Sequence, residues 1–528
     1  MKNIFITTLV FLISFSASAG TSWWNSAVIY EIFVRSFQDS NGDGIGDLKG
    51  ITQRLDYIHS ATPNDPMSLG ADVIWLTPIF KSPSYHGYDT IDYKSVNPDY
   101  GTLDDFKELI SESHKRGIKV ILDLAVNHTS NKNPWFVQSK SSKTSPFRDW
   151  YMWSAQDPGW VGALGRWWPW SQEFYYSSFS RTLPDLNWQN SNIMVQVKDV
   201  LHFWSQLGVD GFRLDAARYY VKGPNGEADT AGTHQVLQTF IQDLKHDFPQ
   251  TFFVGEIWAG SDVISSYVNS GKELDMAFNF PVSFGLQNSL VAESADAFQS
   301  SMTDTLSLIK NQSSFAPFLT NHDMIRIASV VPANKLGLAA AALFGLPGTP
   351  VIYYGEEIGL ANNLPISSDD LDKRTPMQWD ASPLFGFTGG KPWQPFSNAS
   401  TDKNIASQIT DPYSLLSTYQ NLIQLRKSQP ALLSGQTYSV GTDNSQVGAF
   451  ARVLGEETVL VVLNFGPATV QRVNFTIDSH WQSSQNPKTT VLWGDTSLRM
   501  QAKKRSPFVN LDGLAPYSAA IIKLNNNQ

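Results

Sequence analysis

The sequence predicts an α/β protein: a (β/α)8 barrel with a subdomain inserted after the third strand and a C-terminal β-sandwich. Three features of the 528-residue chain predict it. Eight short apolar runs alternate with helix-length amphipathic segments between about residues 28 and 357. One interval of about sixty residues, rich in Trp, Ser, Pro and Gly, breaks that rhythm after Asn127-His128. From about residue 436 the alternation gives way to short strand-like segments.

The runs are Val28–Phe37, Asp72–Phe80, Lys119–Val126, Val209–Asp215, Phe252–Ile257, Asp275–Phe280, Phe315–Asn321 and Pro350–Tyr354. A strand covered by helices on both faces reads as a continuous apolar run, and βα alternation implies a parallel sheet. Eight such units close into a barrel. Leu103–Arg116 and Ile193–Leu207 carry the helical period expected of the intervening segments. The interruption over 129–188 is too long for a plain loop and reads as an inserted subdomain. Segments such as Val459–Asn464 and Ala519–Leu524 read as strands of a sandwich over 436–528. The barrel is then made of 20–128 and 189–435.

The composition narrows the function classes. With 42% hydrophobic and 16% charged residues, the chain is an ordinary globular protein. A formal charge of −9 repels phosphate backbones, so no nucleic-acid partner is expected. Lys2, the apolar stretch Ile4–Phe15 and Ala17-Ser18-Ala19 form a leader over 1–19 that predicts export, to periplasm or medium. The stretch falls short of the roughly 20 residues that span a bilayer, so no membrane anchor is expected. There is no cysteine, so stability must come from the core, with a metal as the further candidate. A monomer is expected. Of the seventeen Trp, 18 Tyr and 31 Phe, most are expected in the core and some facing solvent.

Catalytic groups of such a barrel gather at the C-terminal ends of its strands. The third run ends Asp123-Leu124-Ala125-Val126-Asn127-His128. The fourth ends Arg213-Leu214-Asp215, the fifth Gly255-Glu256-Ile257-Trp258, and the seventh Thr320-Asn321-His322-Asp323. Arg213 and Asp215, two apart on a strand, point the same way, so the arginine can hold the carboxylate ionised. Burial and nearby negative charge would raise the pKa of Glu256, suiting it to donate a proton. A single such residue is readily structural; four sites on one rim are not.

These segments, D-L-A-V-N-H, G-F-R-L-D-A-A-R, G-E-I-W and F-L-T-N-H-D, resemble in order and spacing the four signature regions of the α-amylase family. The resemblance covers nearly the whole chain beyond the leader. It implies retaining cleavage of α-glucans, with Asp215 as nucleophile, Glu256 as general acid/base and Asp323 as transition-state stabiliser. Two carboxylates roughly 5–5.5 Å apart would form and hydrolyse a glycosyl intermediate. It further implies that Arg213, His128 and His322 surround the reacting sugar, that Tyr88 stacks on it and Asp89 bonds to it, and that Asp123 is structural. The presence of all three acids argues against a non-catalytic glucan-binding relative.

The segment Asp39-Ser40-Asn41-Gly42-Asp43-Gly44-Ile45-Gly46-Asp47 alternates oxygen donors with glycines. Side chains of Asp39, Asn41, Asp43 and Asp47 with the Ile45 carbonyl are the expected ligands of a structural Ca²⁺, or Mg²⁺. The interleaved aspartates exclude a dinucleotide loop.

Within the family, Pro184-Asp185-Leu186-Asn187 is similar to a motif marking the group between oligo-1,6-glucosidases and neopullulanases, which includes α-amylases. Ala216 is the small residue usual in α-1,4-acting members. Arg218-Tyr219 departs from the Lys-His of typical α-amylases, which removes the metal site sharing that histidine and leaves Asn127 without a ligand role. Arg374-Thr375-Pro376-Met377-Gln378-Trp379 resembles α-glucosidases, in which the arginine and the counterpart of Asp89 grip a chain end. The reading is therefore a secreted α-amylase, with an exo-acting α-glucosidase, oligo-1,6-glucosidase or 4-α-glucanotransferase as the alternative.

Overall fold

The computed structural model describes residues 22–160, 165–223, 226–363, 370–397, 400–476, 488–495, 498–502 and 508–525. The expected leader over 1–19 lies outside the described residues. Each of the eight apolar runs contains a parallel strand: β1 (Ile29–Ile32), β2 (Val73–Leu76), β3 (Lys119–Leu124), β4 (Gly211–Leu214), β5 (Phe252–Gly255), β6 (Met276–Phe278), β7 (Phe315–Ala316) and β8 (Val351–Tyr353). They pair in chain order from β1 to β7, and β8 returns to β1. The remaining seam, β7 to β8, is held by a parallel bridge between Phe318 and Val351 and by the Val351 N–H donating to the Pro317 carbonyl. Pro317 has no N–H to give, which is why the regular ladder stops at Ala316.

The period-2 alternation of a strand decides what fills the barrel. Ile29, Val73, Ile121, Val254, Met276, Phe278 and Val351 form a separate buried cluster in its interior. On β1 to β4, the residues of the same parity nearer the C-terminal ends are Glu31, Trp75, Asp123 and Arg213, all buried. The register places Glu31 beside Trp75 and Asp123 beside Arg213. The interior thus changes from apolar to charged towards one rim.

The helices follow the predicted faces. Leu103–Lys115 opens on a capping box between Thr102 and Asp105 and buries Phe106, Leu109, Ile110 and Ser113, an i, i+3, i+4, i+7 stripe. It ends just before Gly117, at φ 77°. Ser191–Gln206 is capped by the Asn190 side chain. Between β3 and β4, Trp153–Ser154, Arg166–Trp170 and Glu173–Ser177 make a small antiparallel sheet.

C-terminal antiparallel sheets start at Gln436: one of five strands, one of three, enclosing Leu460, Val462, Val473, Phe475, Leu511 and Ile522. The buried Arg452, on a strand of the larger sheet, ties it to the barrel by donating to the carbonyls of Gly345 and Leu346. Within the barrel, the buried Arg426 donates to those of Phe344 and Leu346. Phe344 to Leu346 end the helix Leu336–Gly345, whose last carbonyls lack helical donors.

Candidate active site

The rim residues are joined through one guanidinium. Arg213 Nη1 donates to Asp215 Oδ1 at 2.7 Å and to Asp123 Oδ1 at 2.8 Å, and its Nη2 pairs with Glu256 Oε2 at 3.1 Å. Asp215 and Glu256 therefore lie within the span of a single guanidinium, as carboxylates that share one reaction centre must. Glu256 Oε2 also accepts the Ala216 N–H at 3.0 Å. Ala216 is held at φ 47°, a left-handed conformation rare outside glycine and a local strain beside the site.

The two carboxyls differ in environment. Burial raises the pKa of Glu256 to about 7; Arg213 opposes the shift, and Asp215 and Asp323 add to it. Burial also raises Asp215, to about 6, with Arg213 again opposing and Asp123 and Asp323 reinforcing. The arginine contact is as the sequence implies, but it does not hold Asp215 at an ordinary carboxylate value, because two anionic neighbours and burial outweigh it. For Asp323, burial would raise the pKa, but His322 and Arg374 hold it well below the usual range. At neutral pH the rim thus carries one ionised Asp215, a Glu256 poised between its two forms and a permanently ionised Asp323.

The other predicted residues divide into two groups. Tyr88 and His322 join the centre: their rings stack with centroids 5.6 Å apart and planes 9° apart. Tyr88 Oη donates to Asp123 Oδ2 at 2.8 Å. His322 Nε2 lies 3.1 Å from Asp323 Oδ2, and Arg374 Nη2 2.9 Å from Asp323 Oδ1. His128 is buried, and burial lowers its pKa to about 4, so it is a neutral ring. Asp89 accepts from the Ser82 and Ser84 hydroxyls. Among the described residues no ion pair joins Asp89 to Arg374; the arginine is engaged by Asp323 and Asp370 instead.

Asn127 acquires a partner that the sequence did not suggest. Lys222 reaches back from beyond β4 and donates to Asn127 Oδ1 at 2.8 Å, to Ser178 Oγ at 3.1 Å and to Asp185 Oδ2. The Lys222 and Asp185 side chains are both fully buried. An ammonium thus sits between the barrel and the inserted segment, next to the bridge of His128 with Asp185.

In the glycine-rich loop, Asp39 accepts the N–H groups of Asn41, Gly42 and Gly44, and Asn41 Oδ1 that of Asp43. Asp43 accepts from Ile45, while Asp47 caps the helix Leu48–Gln53 through the Gly50 N–H. Gly42 and Gly44 supply the positive φ that this winding needs. Oxygen side chains on alternate residues suit a hard cation. Among the described residues no three His, Asp or Glu side chains are grouped as metal ligands by themselves. An ion here would depend on Asn41 and the Ile45 carbonyl as well.

A barrel whose rim joins two buried carboxyls on one guanidinium to a third, permanently ionised one suits a glycoside hydrolase. Residues 31–435 match the family model for the alpha-amylase catalytic domain, and the chain belongs to that family. It is 34% identical to Alpha-amylase 3 of Dictyoglomus thermophilum, over 99% of this chain and 98% of that one. It is 32% identical to an oligo-1,6-glucosidase of Parageobacillus thermoglucosidasius, covering 85% and 91%. A crystal structure of an alpha-amylase from H. orenii superposes with a TM-score of 0.82 at 33% identity, covering 94% and 99%.

Sequence reasoning missed Glu31 and Lys222. Glu31 carried a signal: it is the one charged residue in Ile29–Ile32 and shares the inward parity of Ile29. Lys222 carried none, because its partners lie 37, 44 and 95 residues away.

Proposed function

We propose that the chain is an exported α-amylase that hydrolyses internal α-1,4-glucosidic bonds of starch and maltooligosaccharides with retention. The pairing of Asp215 and Glu256 on Arg213, one acid near 6 and the other near 7, carries this reading. Asp215 attacks the anomeric carbon while Glu256 passes its proton to the departing glycosidic oxygen. The glycosyl ester on Asp215 is then opened by water, whose proton Glu256 takes back. Asp323 supports the positive charge that develops on the sugar ring. Tyr88, Asp89, His128, Arg213, His322 and Arg374 hold that ring.

Chain-internal cleavage is supported by the likeness to Alpha-amylase 3 over almost the full length of both chains. The R-T-P-M-Q-W segment and the likeness to an oligo-1,6-glucosidase favour a second reading, exo action or transfer. A product time course on maltoheptaose and starch separates them. Mixed maltooligosaccharides with early loss of chain length are expected. Glucose released alone, or products longer than the substrate, would overturn the α-amylase reading.

Activity should follow a narrow bell in pH. Asp215 must be ionised, so kcat/KM rises with pH through about 6; Glu256 must be protonated, so it falls above about 7. A profile flat from pH 4 to 9 would contradict these assignments.

We also propose that the Asp39–Asp47 loop takes a structural calcium ion. Ligand that binds only the folded state adds about 2.7 kcal/mol at 100-fold its Kd. Chelation with EDTA should lower Tm and added Ca²⁺ restore it, in the resting protein and in an Asp215→Asn variant alike. An unchanged Tm would mean that the loop is closed by its own amides.

A further inference from the structure

We propose that Glu31, at the C-terminal end of β1, is a positioning residue that keeps His322 a doubly protonated imidazolium facing the reaction centre. The proposal rests on the reading of Asp323 as the transition-state stabiliser, and it follows from where protons can sit.

Asp123 accepts on both oxygens: Arg213 on Oδ1, and Trp75 Nε1 and Tyr88 Oη on Oδ2. Burial pushes this carboxyl up and Arg213 opposes it, but with a donor already meeting each oxygen it has no proton to place towards Tyr88. The single proton of Tyr88 is therefore used on Asp123. His322 Nε2 lies against that phenol oxygen at 2.5 Å and against Asp323 Oδ2 at 3.1 Å. Neither atom can donate to it, so Nε2 must carry a hydrogen. On the opposite edge, Nδ1 meets Glu31 Oε1 at 2.5 Å, an acceptor again. Both ring nitrogens thus require protons.

The electrostatics agree. Burial disfavours the charged ring, yet Asp323 and Glu31 outweigh it and raise its pKa to about 10. The groups facing the ring are the carboxyls of Glu31, Asp123 and Asp323, the Tyr88 phenol, which burial raises, and two cations: Arg374, which meets the His322 carbonyl at 3.1 Å, and Arg213, whose Nη1 lies 3.5 Å from Tyr88 Oη. Glu356, behind Glu31, is raised by burial to about 8 and adds no charge at neutral pH. Glu31 and His322 are both fully buried, and among the described residues Glu31 Oε2 has no hydrogen-bond partner. A buried carboxylate with one idle oxygen is a costly feature, and it is accounted for if its function is to hold a cation in place. Glu31 itself need not touch substrate: it sets the charge of the ring that does.

The test is ¹⁵N-histidine NMR on the full protein, combined with kinetics of Glu31→Gln and Glu31→Asp. In the unaltered protein both His322 ring nitrogens should report as protonated from pH 6 to 9, above an ordinary histidine pKa of about 6.5. Glu31→Gln keeps the shape but removes the charge. It should lower the His322 midpoint by at least about one pH unit. It should also reduce kcat by about 10- to 100-fold with KM within about 3-fold, as expected for an interaction made in the transition state. Glu31→Asp should recover part of kcat. A neutral His322 at pH 8 in the unaltered protein would overturn the proposal even if the variant failed to fold. So would a variant with unchanged titration. Asp323→Asn separates the two readings: if it keeps the parental kcat, the reading of Asp323 falls; if it is inactive while Glu31→Gln behaves as the parent, only the role of Glu31 falls.

Discussion

Asp215→Asn is expected to lower kcat on maltoheptaose by on the order of 10⁴-fold or more while leaving the fold intact, because it replaces the carboxylate proposed to form the glycosyl ester. The substitution is nearly isosteric, and an amide oxygen can still accept from Arg213 Nη1. Stability should not fall. The folded state raises this carboxyl to about 6, so its ionised form is disfavoured by folding, chiefly through burial and then through Asp123 and Asp323. A neutral side chain relieves that repulsion, and Tm should be unchanged or higher above pH 6. Turnover within tenfold of the parent would refute the assignment of the nucleophile. A cooperative loss of structure would refute the account of its environment.

Lys222→Met is expected to have the second-largest effect, on stability. It removes the one cation paired with Asp185 among the described residues, where both side chains are fully buried. Breaking a buried pair by deleting one partner costs about 3–5 kcal/mol, since the remaining charge is left without compensation. Asn127 and Ser178 lose a donor at the same time. Because these contacts hold the inserted segment against the barrel beside His128, KM should rise as well as stability fall. Denaturant unfolding measures the first and initial rates the second. The double variant Lys222→Met with Asp185→Leu should recover much of the loss, as buried pairs replaced by apolar groups commonly do. A single variant within about 1 kcal/mol of the parent would show that Lys222 only fills space.

The barrel was legible because its pattern is local. Eight apolar runs need no partner to be recognised, and each contains a strand. The catalytic rim was legible for a related reason: Asp123, Arg213, Asp215, Glu256, His322 and Asp323 all sit at or just beyond strand ends, where polar residues stand out in apolar runs. What did not show was pairing across the chain. Lys222 and Asn127 meet only after the barrel has closed around them. Nor does the R-T-P-M-Q-W segment disclose that Arg374 pairs with Asp323, 51 residues away in the chain. Likewise, Arg213 sits where the i, i+2 spacing puts it, but the net state of Asp215 depends on Asp123 and Asp323, which that spacing does not include.

The central claim is that Asp215 forms a covalent bond to the sugar while Glu256 moves the proton. Trapping with a 2-deoxy-2-fluoro glycosyl fluoride tests it most directly: the fluorine slows both steps, and the fluoride leaving group needs no acid. In a Glu256→Gln background, which slows hydrolysis of the ester, mass spectrometry of the digested protein should place one sugar on the peptide containing Asp215. A label on any other residue, or none with turnover that inverts the anomeric centre, would contradict it.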